Sequence, residues 1–255
     1  MTRLLIINAD DYGMSPGVSA GILRAAQGLV TSTTVMVNLV TRLEVKFLIG
    51  AASGGALGAG IHLNLTCGRP LTREYPAVLR DDYGAFDKAT ALSDETWSDP
   101  AHREAVRSEW RAQVKQLISY GIQPDHIDSH HHTHLLEPLF PLALELGAEL
   151  DLPLRTRAAQ HEVCTQNSVP TVDSFVENFY GTNCVSAENL LIELDKVTGD
   201  TVELMCHPGL TDGLLKLRSS YRLEREHELS TLSDAHLLEE VTKRGWILGG
   251  YNSLR

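Results

Sequence analysis

Arg3-Leu-Leu-Ile-Ile-Asn-Ala-Asp-Asp-Tyr-Gly13 sets the reading of the whole chain. From Arg3 to Asn8 it is apolar without alternation, as a strand covered on both faces of a parallel sheet is. Ala9-Asp10-Asp11-Tyr12-Gly13 leaves that strand. Ser15 and Pro16 then open a helix, with serine as N-cap and proline at the first helical position, and Gly28 stands where a C′ glycine would end it. Two carboxylates therefore sit at the carboxyl end of the first strand. Taken alone, that pair fits an Asx-turn and cap as well as it fits a site.

The same strand-then-helix rhythm continues along the chain. Thr33-Thr-Val-Met-Val-Asn38 reads as a second strand, followed by a helix through Phe47-Leu48-Ile49, and 58–65 as a third strand that carries His62 near its exit. Residues 67–98 break the rhythm, with Pro70, Pro76, Gly84 and Asp81-Asp82 but little periodicity; a loop this long in a compact domain is usually functional, and a lid is expected. Asp99-Pro100 restarts helix, with Val106, Trp110, Val114, Leu117 and Ile118 as one apolar stripe up to Gly121. A helix across Pro138 to Ala148 and a short strand, 152–156, come next, with Arg155 and Arg157 at the strand's exit. The stretch from Thr171 to Phe179 is ambiguous. Ser186 caps a helix ended by Gly199, the strand Thr201-Val-Glu-Leu-Met-Cys206 is left by His207-Pro208-Gly209, Ser233 caps a last helix to Gly245, and Trp246 to Gly250 closes the series.

Seven or eight strands alternating with helices, without short repeats or linker-like composition, predict a single α/β domain over 1–255 with the insertion at 67–98. A distorted (β/α) barrel, TIM-barrel-like, explains best why Asp10, Asp11, His62, Asp128, His130, Arg155 and His207 all fall where a strand ends, because that face carries the chemistry in such barrels. A doubly wound open sheet is the runner-up, but no Gly-rich phosphate loop follows the first strand. The 255 residues suffice for a sizeable core, and a net charge of −11 with no polybasic run argues against a nucleic-acid surface. Leu4 to Ile7 is too short an apolar run for a membrane span or a signal-peptide core, and the four cysteines form no C-x-x-C pair. The cytoplasm, with reduced thiols and no membrane partner, is the expected compartment.

Asp128-Ser-His-His-His-Thr-His134 is the densest functional signal: four of the eleven histidines lie within five residues. On an extended backbone His130, His132 and His134 would share one face with Asp128. One aspartate and two histidines from different strands form the ligand set of an open catalytic metal site, which leaves positions for water and substrate. Adjacent residues of a strand point apart, so Asp10 and Asp11 are expected to divide the work, one binding metal and one acting as base. His132 and His134 exceed the ligand count and are expected to orient ligands or touch substrate. A metal-dependent phosphoesterase would use similar ligands, but calls for more basic residues at the rim than the 155 and 157 pair. A non-catalytic metal-binding protein would leave Asp10 and His207 without a role.

Asn8-Ala-Asp-Asp-Tyr-Gly13, Gly60-Ile-His-Leu-Asn-Leu-Thr66, Asp128-Ser-His-His-His-Thr-His134 and Met205-Cys-His-Pro-Gly209, with Ser220-Tyr221, Arg225 and Glu228-Leu229, together resemble the YdjC-like carbohydrate deacetylases of the chitooligosaccharide type. The resemblance implies a distorted barrel, one divalent metal ion, magnesium or zinc, and removal of acetyl from an N-acetylated sugar by a homodimer. It also implies Asp11, His62 and His130 as metal ligands, Asp10 as base, His207 as general acid, and Arg155 as the partner that orients the base.

Overall fold

A computed structural model describes residues 3–254, and within them seven strands form one all-parallel sheet. The strands are β1 (Arg3–Tyr12), β2 (Ser32–Val35), β3 (Gly58–Leu63), β4 (Ile127–Ser129), β5 (Ser174–Val176), β6 (Thr201–Cys206) and β7 (Trp246–Leu248). The helices are α1 (Pro16–Ala25), α2 (Arg42–Ala52), α3 (Lys88–Ala91), α4 (Pro100–Ser119), α5 (Phe140–Leu150), α6 (His161–Gln166), α7 (Ala187–Lys196), α8 (Leu215–Arg218), α9 (Leu223–Leu232) and α10 (Ala235–Lys243). The order is β4-β3-β2-β1-β6-β5, with β7 on the start of β1, so the sheet curls into a distorted barrel with β4 and β5 at its two ends. The expected strand at 152–156 shrinks to a single parallel bridge, Leu154 to Ile127, which is still enough to bring Arg155 into the barrel.

The central strand is buried on both faces, as its unbroken apolar run predicts. Leu5, Ile7 and Ala9 pack outward against the helices, while Ile6 packs inward on Val172 and Tyr251. Burying each such Leu or Ile contributes roughly 1.5–3 kcal/mol. Alternation then puts Asn8 and Asp10 on the same inward side as Ile6. Thr34, His62, Asp128, Arg155 and Glu203 meet them there, so the barrel interior is a polar column above a small apolar plug.

Helix ends follow the predicted chemistry in most places. Ser15 accepts from Val18 N at the start of α1, Asp99 from Ala101 N at α4, and Ser186 from Asn189 N at α7. Three details differ. Gly28 is not a left-handed cap; a Cβ there would lie 2.4 Å from Leu232 O, so the glycine permits close approach of α9's end to the chain after α1. Ser233 ends α9, and Asp234 caps α10 instead. Ile118 lies on the exposed side of α4, leaving Val106, Trp110, Val114 and Leu117 as the buried stripe.

The segment 67–98 contains α3 and two short 3₁₀ turns, and Tyr75, Leu79, Phe86, Ala91 and Trp97 give it a buried core. Buried Glu109 on α4 ties down its start by accepting from the backbone N–H of Leu71 and Thr72. Among the described residues, no helix is long and apolar enough to cross a membrane.

Candidate metal centre and active site

Strict alternation would turn Asp11 away from Asp10, toward the helices. Instead β1 carries one extra residue against β2 between Ala9 and Tyr12, and Asp11 adopts φ 75°. This bulge swings Asp11 inward beside Asp10. Gly13 completes the turn with φ 93°; a Cβ there would stand 2.6 Å from Val40 Cβ. Both carboxylates consequently line a cavity of about 420 Å³ at the carboxyl ends of the strands, with His62, His130, His131, His132 and His207. The expectation that they face opposite sides is overturned, although their partners do differ.

Asp11 Oδ1 lies 2.9 Å from His130 Nδ1 and 3.3 Å from His62 Nε2, yet it is buried without a hydrogen-bond partner. The three potential donor atoms lie within 4.8 Å of one another. Asp11 and His62 are held from behind. Arg225 donates to Asp11 Oδ2 at 2.6 Å, and His62 Nδ1 bonds Asp128 Oδ1 at 2.6 Å, which frees Nε2 for the cavity. Asp128 also accepts from Thr34 Oγ1 at 3.0 Å. A carboxylate behind a ligating imidazole is the usual support of a metal site. This donor set, two imidazoles and one carboxylate around an orphaned oxygen, fits a divalent ion.

The electrostatics agree. Burial opposes charge on Asp11, but His130 and Arg225 outweigh it and hold the carboxyl well below its usual range. Burial likewise lowers His62, yet Asp128 and Asp11 lift it to about 10. The surroundings therefore favour a positive charge where His62 points. Asp10, Asp128 and Glu203 all face one cation, Arg155.

Arg155 is fully buried and donates to both oxygens of Asp10 at 2.7 Å. It also donates to Glu203 Oε1 at 2.8 and 2.6 Å. Asn8 Nδ2 donates to Asp10 Oδ1 at 2.8 Å, so the carboxylate cannot rotate without losing several bonds. His207 Nε2 stands 4.0 Å from Asp10 Oδ2. Burial holds its imidazole down at about 4, and its Nδ1 is buried without a partner.

The histidine tract departs from the extended reading. After Ser129 the chain enters a 3₁₀ turn over His130–Leu135, kinked by His131 (φ 54°) and His132 (φ 53°), so the alternating face does not exist. His130 and His132 still reach the cavity, but His134 points into the interior, where Ser129 Oγ meets its Nδ1 at 2.5 Å and Nε2 lies 2.9 Å from Arg155 O. Burial pushes His134 down to about 3, and burial with Arg155 lowers His132 to about 4, so both are neutral at pH 7. Position 134 therefore supports the Arg155 backbone rather than touching the cavity.

Several cavity residues were not singled out by spacing. Lys88 reaches in from α3 and lies 3.0 Å from His131 Nε2, while His131 Nδ1 meets Thr66 Oγ1 at 2.8 Å. Arg218 also lines the cavity. Arg157 does not line the cavity but pairs with Glu177, which does. Glu203 sits inside β6 among apolar residues, so only its buried position marks it, whereas Glu228, already part of the quoted resemblance, turns out to be buried on α9. A larger groove of about 850 Å³ opens near the starts of β2, β3 and β4, but Asp125 is its one charged side chain, and it holds no comparable cluster.

The sequence matches the family described as YdjC-like protein over residues 4–243. The chain belongs to the YdjC-like family. It is 36% identical to a carbohydrate deacetylase of Clostridium beijerinckii, covering 94% of this chain and 95% of that protein. It is 35% identical to a chitooligosaccharide deacetylase of Proteus mirabilis over 100% of both chains. A solved structure from Enterococcus faecalis, whose name links it to cellobiose-phosphate cleavage, superposes with a TM-score of 0.87 at 32% identity, covering 100% of this chain and 99% of that one. This YdjC-like chain is thus matched by its relatives along its whole length.

Proposed function

We propose that this YdjC-like protein is a metal-dependent hydrolase that removes acetyl from an N-acetylated amino sugar or short oligosaccharide. The observation that carries the reading is the orphaned Asp11 Oδ1 facing His62 Nε2 and His130 Nδ1, directly beside a carboxylate clamped by Arg155. A divalent ion held by Asp11, His62 and His130 would polarise the acetyl carbonyl and lower the pKa of a neighbouring water, to about 7 in the best cases. Asp10 takes the proton of the attacking water. Arg155 and Asn8 keep its oxygens aimed during that transfer. His207, neutral at pH 7, has Nε2 4.0 Å from Asp10 Oδ2, a gap that one water molecule bridges, so it can take up that proton through the water and deliver it to the departing amine. The full names of the relatives, carbohydrate and chitooligosaccharide deacetylase, support the same substrate class.

Mass spectrometry of chitooligosaccharides incubated with metal-loaded protein tests the reading. Acetate release that chelation abolishes is the expected result; no release from any N-acetyl sugar would overturn it. Lys88 and Arg218 in the cavity favour one competing reading, a phosphoesterase. Turnover of a generic phosphate ester at a higher rate than any acetamide would select it instead.

His132 lines the cavity and meets Phe175 edge-on at 5.8 Å, without touching the ligand triad. His132→Ala should lower turnover roughly 10-fold or more while metal content is unchanged, as for groups that support a metal site from outside its ligands. Metal loss equal to that of His130→Ala would reject this division. Residues 67–98 are proposed as a cover, with Lys88 as its contact to the cavity. Amide exchange near Lys88 should slow when product sugar binds, because closure excludes water. Ligand-independent exchange across the segment would remove that role.

A further inference from the structure

Two tyrosines form one wall of the cavity beside His207. Tyr180 and Tyr221 are stacked in parallel, 4.3 Å apart at 12°, and each meets the His207 ring edge-on, at 5.4 and 5.8 Å. They come from separate loops, one after β5 and one between α8 and α9. Tyr221 is anchored. Its hydroxyl donates to Glu228 Oε1 at 2.6 Å and accepts from Gly181 N at 3.1 Å. Glu228 is fully buried and also accepts the backbone N–H of His207, so one side chain sets both the aromatic pair and the histidine. A further bond, Thr182 Oγ1 to Glu224 Oε1 at 3.0 Å, ties the loop of Tyr180 to α9.

Tyr180 differs from its partner in being 48% exposed. One face lies on Tyr221, and the ring stands at the cavity's mouth. A rigidly backed aromatic ring, left half-exposed beside a cavity that holds many charged and polar side chains, presents a negative π face and apolar area to whatever enters. The C–H face of a pyranose ring complements both properties, whereas a phosphate or a small ion complements neither.

We propose that Tyr180, backed by Tyr221, is the stacking subsite for the sugar ring that carries the reacting acetamide, and so selects saccharides over other acetamides. The inference rests on the reading of the cavity as a deacetylase site. If His207 delivers the proton to the leaving nitrogen, the ring bearing that nitrogen must lie beside His207, which is where Tyr180 stands. The subsite therefore belongs to the reacting sugar and not to a distant one.

The test uses the metal-loaded full chain, the chitin disaccharide, and N-acetylethanolamine as an acetamide without a ring. Binding is read by saturation-transfer NMR and turnover by acetate release. Tyr180→Leu, which keeps bulk but removes the π face, should raise Kd and KM for the disaccharide roughly 10-fold with kcat nearly constant. Tyr180→Phe should behave as wild type, since the hydroxyl has no assigned part. Tyr180→Leu should slow the ringless acetamide far less than the disaccharide, so that the ratio of the two kcat/KM values falls roughly 10-fold. Unchanged disaccharide binding in Tyr180→Leu would overturn the subsite, as would equal slowing of the ringless substrate or a wild type that binds no disaccharide. Binding that is lost in Tyr180→Leu, in a wild type that binds but releases no acetate, would retain the subsite and overturn only the hydrolytic reading.

Discussion

Asp10→Asn should leave about one divalent ion per chain in place and lower turnover by roughly 10²- to 10⁴-fold, the span expected for loss of a positioned general base. The side chain keeps its shape but no longer accepts the water proton. Asn8 and Arg155 now surround a neutral amide, and Arg155 retains Asp128 and Glu203 as carboxylate partners, so the buried guanidinium is not left uncompensated. The ligand atoms of Asp11, His62 and His130 do not bond Asp10, which is why metal content should hold. His207→Ala should show a comparable loss with the acetamide and a much smaller one with an activated acetyl ester, whose leaving group needs no proton. Elemental analysis alongside kinetics separates these outcomes. Wild-type turnover in Asp10→Asn would remove Asp10 from the mechanism.

The second large effect concerns the ion. His62→Ala and His130→Ala should each reduce bound metal from about one per chain to near zero, because an open site has only three protein ligands to lose. Asp128→Asn should weaken affinity by about 10- to 100-fold without abolishing it, since Asp128 orients His62 from behind. Protons add an independent measurement. In the metal-free chain His62 is lifted to about 10, so it is charged at pH 7–8 and must lose its proton to ligate. A group with a raised folded pKa holds its proton until pH passes that value, so affinity should climb with pH through the neutral range. Calorimetry in buffers of different ionisation enthalpy should register about one proton released per ion bound. Full metal content in both histidine variants would move the site elsewhere, and binding without proton release would show that His62 is already neutral in the metal-free chain.

Much of this protein was legible in its residues because the relevant physics is local. Unbroken apolar runs such as Leu4–Ile7 marked strands covered on both faces, and Ser15-Pro16, Asp99-Pro100 and Ser186 marked helix starts through side-chain caps. The order of strands and helices then sufficed for a barrel with its chemistry at the strand ends, and Asp11, His62 and His130 do converge there. Tertiary structure decided where the side chains point once a strand ends. The bulge at Asp11 and the left-handed torsions of His131 and His132 reverse what alternation predicts, and such torsions follow from how the turns pack rather than from spacing. It also decided the partners: Arg155 meets Asp10 across 145 positions and Arg225 meets Asp11 across 214. Local propensity acts over a few residues. Bonds that span most of the chain exist only after the sheet has curled, which is why Glu203, Lys88, Tyr180 and the contacts that Tyr221 and Glu228 make emerged from the fold.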